Sequence, residues 1–229
     1  GEPLCIDPIE ALDRLGARGV PEDGDEPIAD AFLVHDRPIA RPLDDSVVQV
    51  VDGRRTLLRR ARGFAPEPLD LPALGMDGAA EGEQDRPAIL ALGGDLKCAP
   101  SLAIGSRVWM APHLGDLANG SLHQRLRQGV DEVRARFGTT ATVVACDAHP
   151  GYLSHQLARS LAGPVRVVPH HLAHGLAVMA EHALPPPLLV VAFDGLGYAP
   201  GPGLALRGGE CLLIAPDGAQ HLAGLRPFP

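Results

Sequence analysis

The chain has 229 residues, a net charge of −8 and 45% hydrophobic residues, with only 3% aromatic. This composition predicts a core built from Ala, Leu and Val in one large or two small domains. The negative charge argues against general nucleic-acid binding, and the lack of any run of about 18 apolar residues argues against a membrane span. The four cysteines are widely spaced and form no Cys-x-x-Cys pair. They argue against a zinc finger or a disulfide framework and predict a cytoplasmic protein.

The first part of the chain, residues 1–66, is predicted to belong to a β-rich domain. A short helix is expected from Pro8 to Leu15. Residues 46–51 are rich in valine and predict a strand. Asp52-Gly53 predicts a tight hairpin turn, and residues 56–58 the returning strand.

Residues 67–86 are rich in Pro, Gly, Ala and acidic side chains and form the predicted linker. From residue 87 to residue 229 the pattern alternates between strands and helices, which predicts an α/β fold. The predicted strands are 88–92, 142–146, 188–193 and 210–215, and the predicted helices are 121–137, 154–161 and 169–184. Open α/β sheets bind ligands at the carboxyl ends of their strands. Polar residues and glycines that follow these strands are therefore the candidate site residues.

Two histidines four residues apart, His170 and His174, are the candidate metal ligands. On a helix both imidazoles lie on one face, close enough to share a first-row divalent cation. Asp194 follows a predicted strand and is expected to be a third ligand or to orient one. A carboxylate in the set favours iron, manganese or zinc. The alternative interpretation is a pair of packed or surface histidines.

Two further clusters predict phosphate contacts. Gly93 and Gly94 follow a strand, where glycine lets backbone amides approach a phosphate, although an ordinary turn shows the same pattern. Lys97 is the single lysine among 20 cationic side chains, either by chance or because its site needs a compact ammonium group.

The arginine-rich hairpin of residues 54–62 lies beside residues 44–46. It either converges on a nucleotide phosphate or is a solvated hairpin with local Asp–Arg pairs.

Together these motifs resemble the HypF family, the carbamoyltransferases of nickel–iron hydrogenase maturation, over nearly the whole chain. Residues 29–39, 44–47 and 58–63 resemble the end of its YrdC-like domain. Five motifs in order resemble its second domain: Leu92–Lys97, His113–Leu117, Asp147–Tyr152, His170–His174 and Phe193–Tyr198. That domain is similar to the tRNA threonylcarbamoyl transferases. The resemblance therefore implies an actin-like, ribonuclease-H-like fold.

The resemblance also implies a division of the chain. Residues 1–66 would be the end of the YrdC-like domain that forms carbamoyl-adenylate, and residues 87–229 the first lobe of the carbamoyltransferase domain. On this interpretation the chain is an internal fragment whose second lobe follows Pro229. The fragment alone is then expected to be inactive.

The family makes a carbamoyl group from carbamoyl phosphate, activates it with ATP as carbamoyl-adenylate and transfers it to the C-terminal cysteine of the partner protein HypE. The resemblance implies that His170 and His174 hold a divalent metal, iron or zinc. Asp194 and Lys97 are the candidate catalytic residues. The candidate residues for binding the nucleotide are Ser46, Arg59, Arg60, Arg62, Gly93, Gly94, Gly195 and Gly197.

Two alternatives to this function stay open. An O-carbamoyltransferase of small-molecule biosynthesis shares the second domain, and genomic neighbours that encode hydrogenase proteins would distinguish it from a HypF. The other alternative is a non-catalytic remnant that binds metal or nucleotide without turnover. The flanking sequence of the full-length protein would test that interpretation.

Overall fold

The computed structural model describes residues 7–15, 31–39, 43–71, 88–117, 120–137, 143–201 and 206–225. They belong to two compact units, which divide between residues 62 and 63 rather than at the predicted residue 66. Leu69–Asp70, inside the predicted linker, forms a short strand of the second unit. The linker from residue 72 onward lies outside the described residues, so its character stays a prediction.

The first unit contains a short helix and a β-hairpin. Helix α1 spans Pro8–Leu15, as predicted, and strands β1 (Val47–Val51) and β2 (Arg54–Arg59) pair antiparallel. Asp52 and Gly53 form the turn with φ angles of 50° and 73°. Positive φ at both central residues matches the twist of a two-residue hairpin, and Asp-Gly adopts it readily. The predicted hairpin is confirmed, with a returning strand that begins two residues earlier than expected.

The larger sheet of the second unit has six strands. They are β3 (Leu69–Asp70), β4 (Ala88–Ala91), β5 (Ser101–Ile104), β6 (Arg107–Met110), β7 (Val143–Asp147) and β8 (Val165–Val168). Their order is β3-β6-β5-β4-β7-β8, with β4, β7 and β8 parallel and the other pairs antiparallel. The carboxyl ends of the three parallel strands therefore lie at one edge.

Two helices pack against this sheet, α2 (Gly120–Phe137) and α3 (Leu153–Ser160). The buried cluster joins Leu90 of β4 to Leu126 of α2 and Leu157 of α3, and each of these side chains is 1% exposed or less. Burying one leucine contributes roughly 1.5–3 kcal/mol relative to leaving it exposed. The cluster holds the parallel strands in place, and with them the segments at their carboxyl ends.

Helix α4 lies beside a second, smaller sheet. The elements are α4 (His170–Glu181), β9 (Leu188–Ala192), β10 (Gly197–Tyr198), β11 (Leu206–Arg207), β12 (Glu210–Ala215) and β13 (Gly218–Gly224). Strands β13, β12 and β9 form an antiparallel sheet in that order, and β10 and β11 form a short hairpin. Helix α4 approaches this sheet closely at Gly175, where an added Cβ would lie 3.0 Å from atoms of both Val190 and Ile214.

The predicted α/β class is confirmed by the mixed sheets and their helices. Residues 87–229, predicted to form one lobe, belong to the second compact unit, whose described strands form more than one sheet. In the part of the chain that the structure describes, no helix is long and apolar enough to cross a membrane.

Candidate metal centre

The two predicted histidine ligands and Asp194 are brought together. His170 and His174 lie on the first two turns of α4, and Asp194 lies in the loop after β9. Asp194 Oδ2 is 3.0 Å from His170 Nε2 and 3.6 Å from His174 Nε2. One donor atom from each of the three residues lies within 4.8 Å of the other two. The i, i+4 spacing on a helix therefore does place both rings on one face, as predicted.

The orientation of the His170 ring is set by Asp147, at the carboxyl end of β7. Its Oδ2 lies 2.6 Å from His170 Nδ1, and Asp147 is only 7% exposed. The hydrogen bond to Asp147 raises the pKa of His170 above its ordinary value, and it outweighs burial, which acts in the opposite direction. A carboxylate that accepts from one ring nitrogen directs the other toward a ligand, as in many metal sites.

The second nitrogen of His170 faces another carboxylate. If Nδ1 donates its proton to Asp147, a neutral ring turns the Nε2 lone pair toward Asp194 Oδ2 at 3.0 Å. A lone pair and a carboxylate oxygen repel each other unless a proton or a cation lies between them. The raised pKa of His170, caused mainly by the hydrogen bond with Asp147 and to a smaller extent by Asp194, favours a proton in that place. The same geometry accepts a metal ion in exchange for the proton.

The Asp194 carboxyl is kept ionised by its surroundings. Burial alone would raise its pKa, but the N–H of Gly195, 2.8 Å from Oδ1, and the neighbouring histidines outweigh burial and lower it. Asp194 therefore offers a charged oxygen to the centre near neutral pH.

The donor set fits a divalent first-row cation. Atoms bound at about 2.1 Å around a tetrahedral ion lie about 3.4 Å apart. The two distances from Asp194 Oδ2, 3.0 Å and 3.6 Å, lie on either side of that value. Two imidazoles with one carboxylate suit iron(II), manganese or zinc. His170, His174 and Asp194 are therefore the residues that would hold the ion.

A cavity of about 350 Å³ adjoins this centre. Asp147, His170 and His174 line it together with Gly93 and Gly94 and with small apolar side chains such as Ala145 and Ala173. Gly93 has a φ of 69°, and an added Cβ on Gly94 would lie 3.5 Å from Asp147 Oδ2. The glycine pair therefore lines the cavity beside the histidines, and its role in phosphate binding stays a prediction.

The residues after this glycine pair contact other parts of the protein. Asp95 accepts the backbone N–H groups of Leu153 and Ser154 at 2.7 Å and 2.9 Å, so it occupies the anion-binding end of α3 itself. Lys97 is exposed with a φ of 51°, and its N–H donates to Asp116. Lys97 does not line the cavity. Its catalytic role stays a prediction that the geometry does not support.

The candidate nucleotide residues Ser46, Arg59, Arg60 and Arg62 lie in the first unit. Ser46 Oγ donates to the carbonyl of Arg62 and accepts the N–H of Ala61, both at 2.8 Å. Arg59 lies 2.7 Å from a carboxylate oxygen of Asp44, and Arg62 Nε lies 3.6 Å from one of Asp45. Local Asp–Arg pairs, one of the two interpretations of this hairpin, are therefore present.

The glycines after Asp194 contact other residues of the protein in this structure. Gly195 donates its N–H to Asp194 Oδ1. Gly197 makes room for His171, since an added Cβ would lie 2.7 Å from His171 Nε2. Their predicted contacts with a nucleotide stay a prediction.

Sequence reasoning did not select Asp147, His171 or Glu210 as site residues. Asp147 gave a usable signal, because it ends a predicted strand just as Asp194 follows one. His171 and Glu210 gave none, because their 2.6 Å contact joins residues 39 positions apart. Only the packing of α4 on the smaller sheet reveals that pair.

The buried cysteines of the chain are poor nucleophiles. Burial, followed by the charge of Asp95, raises the pKa of Cys98 to about 12. Burial, followed by the charge of Asp147, also raises the pKa of Cys146, which lines the cavity. Since the thiolate is the reactive form, neither side chain is suited to attack a substrate at neutral pH.

Comparison with known proteins supports the family assignment. A family model described as the HypF Kae1-like domain matches residues 84–181, which include the glycine pair and both histidines. The carbamoyltransferase HypF of Synechocystis sp. is 41% identical over the whole chain, and that of Rhizobium leguminosarum bv. viciae is 37% identical. The chain covers 27% of each of these relatives. A solved full-length HypF in its phosphate- and nucleotide-bound form matches 98% of this chain and 27% of its own, with a TM-score of 0.77 and 34% identity.

The fold and the centre thus define a protein of the Kae1-like class, with the actin-like architecture that the motifs implied. The chain belongs to the HypF family. It spans about a quarter of the length of the relatives that it matches, 27% in each of these comparisons.

Proposed function

We propose that this chain provides the metal centre at which a HypF-type carbamoyltransferase transfers a carbamoyl group. The observation that carries the proposal is the placement of His170 between two carboxylates, Asp147 at 2.6 Å and Asp194 at 3.0 Å. A cation at Nε2 would relieve the repulsion between that nitrogen and Asp194. The names of the relatives support the reaction class, since both are carbamoyltransferases.

The residues of the centre have two tasks, which are to hold the cation and to orient one of its ligands. His170, His174 and Asp194 hold the cation, and Asp147 keeps Nε2 of His170 directed at it. A divalent cation supplies positive charge that offsets the charge gathering on a leaving phosphate. That phosphate would lie in the cavity beside Gly93 and Gly94, which line it.

The substrates in this proposal are ATP and carbamoyl phosphate. Hydrolysis of carbamoyl phosphate gives carbamate and phosphate, and a carbamate oxygen then displaces pyrophosphate from the α-phosphorus of ATP to give carbamoyl-adenylate. In the transfer step, the sulfur of a cysteine thiolate bonds to the carbamoyl carbon. The bond from that carbon to the phosphate oxygen breaks, and AMP leaves with the electron pair. The thiolate would come from the C-terminal cysteine of a HypE-type partner. The raised pKa values of the buried Cys98 and Cys146 support an acceptor from outside these positions.

Formation of the adenylate would belong to the first unit, where Ser46, Arg59, Arg60 and Arg62 are the candidate residues. The ion pairs of Arg59 with Asp44 and of Arg62 with Asp45 mean that a phosphate would have to compete with a carboxylate. This part of the proposal therefore rests on the HypF family rather than on the hairpin itself.

The two partial reactions offer a direct test in the full-length protein that carries this chain. His174→Ala should leave the carbamoyl phosphate-dependent exchange of pyrophosphate into ATP, which reports adenylate formation alone, within about twofold of wild type. Carbamoylation of a peptide that ends in cysteine should fall by about 100-fold, because a ligand of the transfer centre is lost. His123→Ala, on α2, is the matched control and should change neither reaction.

Equal carbamoylation by the His174 and His123 variants would refute the proposed centre. Transfer to a small-molecule hydroxyl in place of the cysteine peptide would instead support the O-carbamoyltransferase alternative.

A further inference from the structure

We propose that His171, which lies between the two histidine ligands, is a positioning residue that fixes helix α4 against the loop carrying Asp194. The inference rests on the proposed metal centre but concerns a side chain outside its candidate ligand set. His171 is 1% exposed, and its Nδ1 lies 2.6 Å from Glu210 Oε2. The contact joins α4 to β12, the middle strand of the smaller sheet.

Glu210 is a fixed anchor for this ring. It begins β12 and shares the buried face of that strand with Leu212 and Ile214. Glu210 is 4% exposed, and its second oxygen lies 2.9 Å from Arg207 Nη1 and 3.3 Å from His221 Nε2. A buried carboxylate with three nitrogen partners has little freedom to move. His171 is therefore tied to a rigid point of the sheet.

The other edge of the His171 ring faces the loop after β9. Its Nε2 is buried without a hydrogen-bond partner among the described residues and lies 3.8 Å from Asp194 Oδ2. An added Cβ on Gly197 would lie within 2.9 Å of three ring atoms. The imidazole therefore fills the space between Glu210 and the loop, and it sets how close that loop comes to α4.

The spacing matters because the candidate ligands come from two elements. His170 and His174 are on α4, whereas Asp194 is on the loop that His171 supports. Metal sites tolerate ligand distances only within about 0.2 Å. A shift of the loop relative to the helix would therefore weaken the site without removing any ligand.

Cobalt(II) titration of the chain, followed by visible absorption, tests this role, since the spectrum reports ligand geometry as well as affinity. His171→Leu keeps bulk and removes both nitrogens, so cobalt affinity should fall about 10- to 100-fold and the spectrum should change. His171→Asn places an amide N–H near the position of Nδ1. It should therefore bond Glu210 and restore the affinity to within about fivefold of wild type.

Ile214→Ala is the control for a merely structural effect. It removes packing under α4 at Gly175 but leaves His171 and Glu210 in place. It should lower the urea concentration at the midpoint of unfolding and leave the cobalt spectrum of the folded protein unchanged.

Absence of cobalt binding by the wild-type chain would overturn both the metal centre and this inference. Wild-type binding together with a folded His171→Leu variant of unchanged affinity and spectrum would overturn the inference alone. If the His171→Leu variant does not fold, cobalt titration of the Glu210→Gln variant tests the inference instead. It should weaken cobalt binding about 3- to 10-fold through a weaker hydrogen bond, and wild-type behaviour would contradict the proposal.

Discussion

The carboxylate of Asp95 caps helix α3 from a distant part of the chain. Its Oδ2 accepts the N–H of Leu153, 58 positions later, at 2.7 Å, and its Oδ1 accepts that of Ser154 at 2.9 Å. Tyr152, at the N-cap position, provides no side-chain hydrogen bond of its own. Asp95 therefore fastens the glycine turn after β4 to the segment that follows Asp147.

Asp95→Ala should lower the free energy of unfolding by about 1–2 kcal/mol, because two N–H groups at the start of α3 lose their acceptor. Urea denaturation followed by circular dichroism measures the difference. Asp131→Ala, at an exposed position of α2, is the matched control and should change stability by less than about 0.5 kcal/mol. Similar losses in the two variants would mean that the cap contributes nothing of its own.

Asp147→Asn should weaken metal binding at pH 8 by about 10- to 100-fold, since an amide holds the His170 ring less firmly than a carboxylate does. Isothermal titration with zinc or cobalt measures this change. Asp116→Asn alters an aspartate that accepts the N–H of Lys97 at 2.7 Å, and it should bind metal like wild type. Unchanged affinity in Asp147→Asn would remove Asp147 from the centre.

The pH dependence of metal binding follows from the raised pKa of His170. Above that pKa the ring is neutral and Nε2 can bind a cation, whereas below it a proton occupies the same nitrogen. Affinity should therefore fall as the pH drops through a value above the ordinary histidine pKa of about 6.5. Asp147→Asn should move this fall to lower pH, because the hydrogen bond that His170 donates to Asp147 is the main cause of the raised pKa. A midpoint unaffected by Asp147→Asn would contradict this explanation.

The raised pKa of His170 also makes the stability of the metal-free chain depend on pH. The direction is opposite to that of metal affinity, since stability falls as the pH rises. A pKa raised on folding stabilises the folded state below the unfolded pKa, and this contribution is lost as the pH rises through the folded value. The metal-free chain should therefore lose part of its stability between pH 6 and pH 9, and His170→Gln should reduce that loss. Urea denaturation at both pH values gives the comparison.

Gly197→Ala should destabilise the chain by about 1–3 kcal/mol, because the new Cβ would overlap the His171 ring. Gly195→Ala is a close control, since an added Cβ there meets nothing within 4 Å. Thermal unfolding of the two variants separates the steric effect from a general need for glycine in this loop. Equal unfolding temperatures would show that the ring can move aside at little cost.

The sequence predicted the parts of the centre that depend on local geometry. The i, i+4 spacing of His170 and His174 requires only a helix, and Asp194 requires only a strand that ends before it. Both elements were predicted from periodicity and from flanking residues. The structure then placed all three donor atoms within 4.8 Å of one another.

The sequence did not predict contacts between residues far apart in the chain. The cap of α3 by Asp95 and the pair of His171 with Glu210 depend on how helices pack against two sheets. The strand Leu69–Asp70 was missed for the same reason, because its two residues owe their conformation to pairing with β6. Lys97 was selected because it is the single lysine of the chain and follows the glycine pair, and its catalytic role stays a prediction.

The most direct test of the account is a cobalt or iron(II) titration of the chain with His174→Ala compared with His182→Ala. His182 caps the carboxyl end of the same helix and is exposed, so its loss alters the helix end without touching the centre. One bound ion per wild-type chain, unchanged in His182→Ala and weakened at least about 10-fold in His174→Ala, is the predicted result. Equal affinity in the two variants would show that His170, His174 and Asp194 do not form a metal centre.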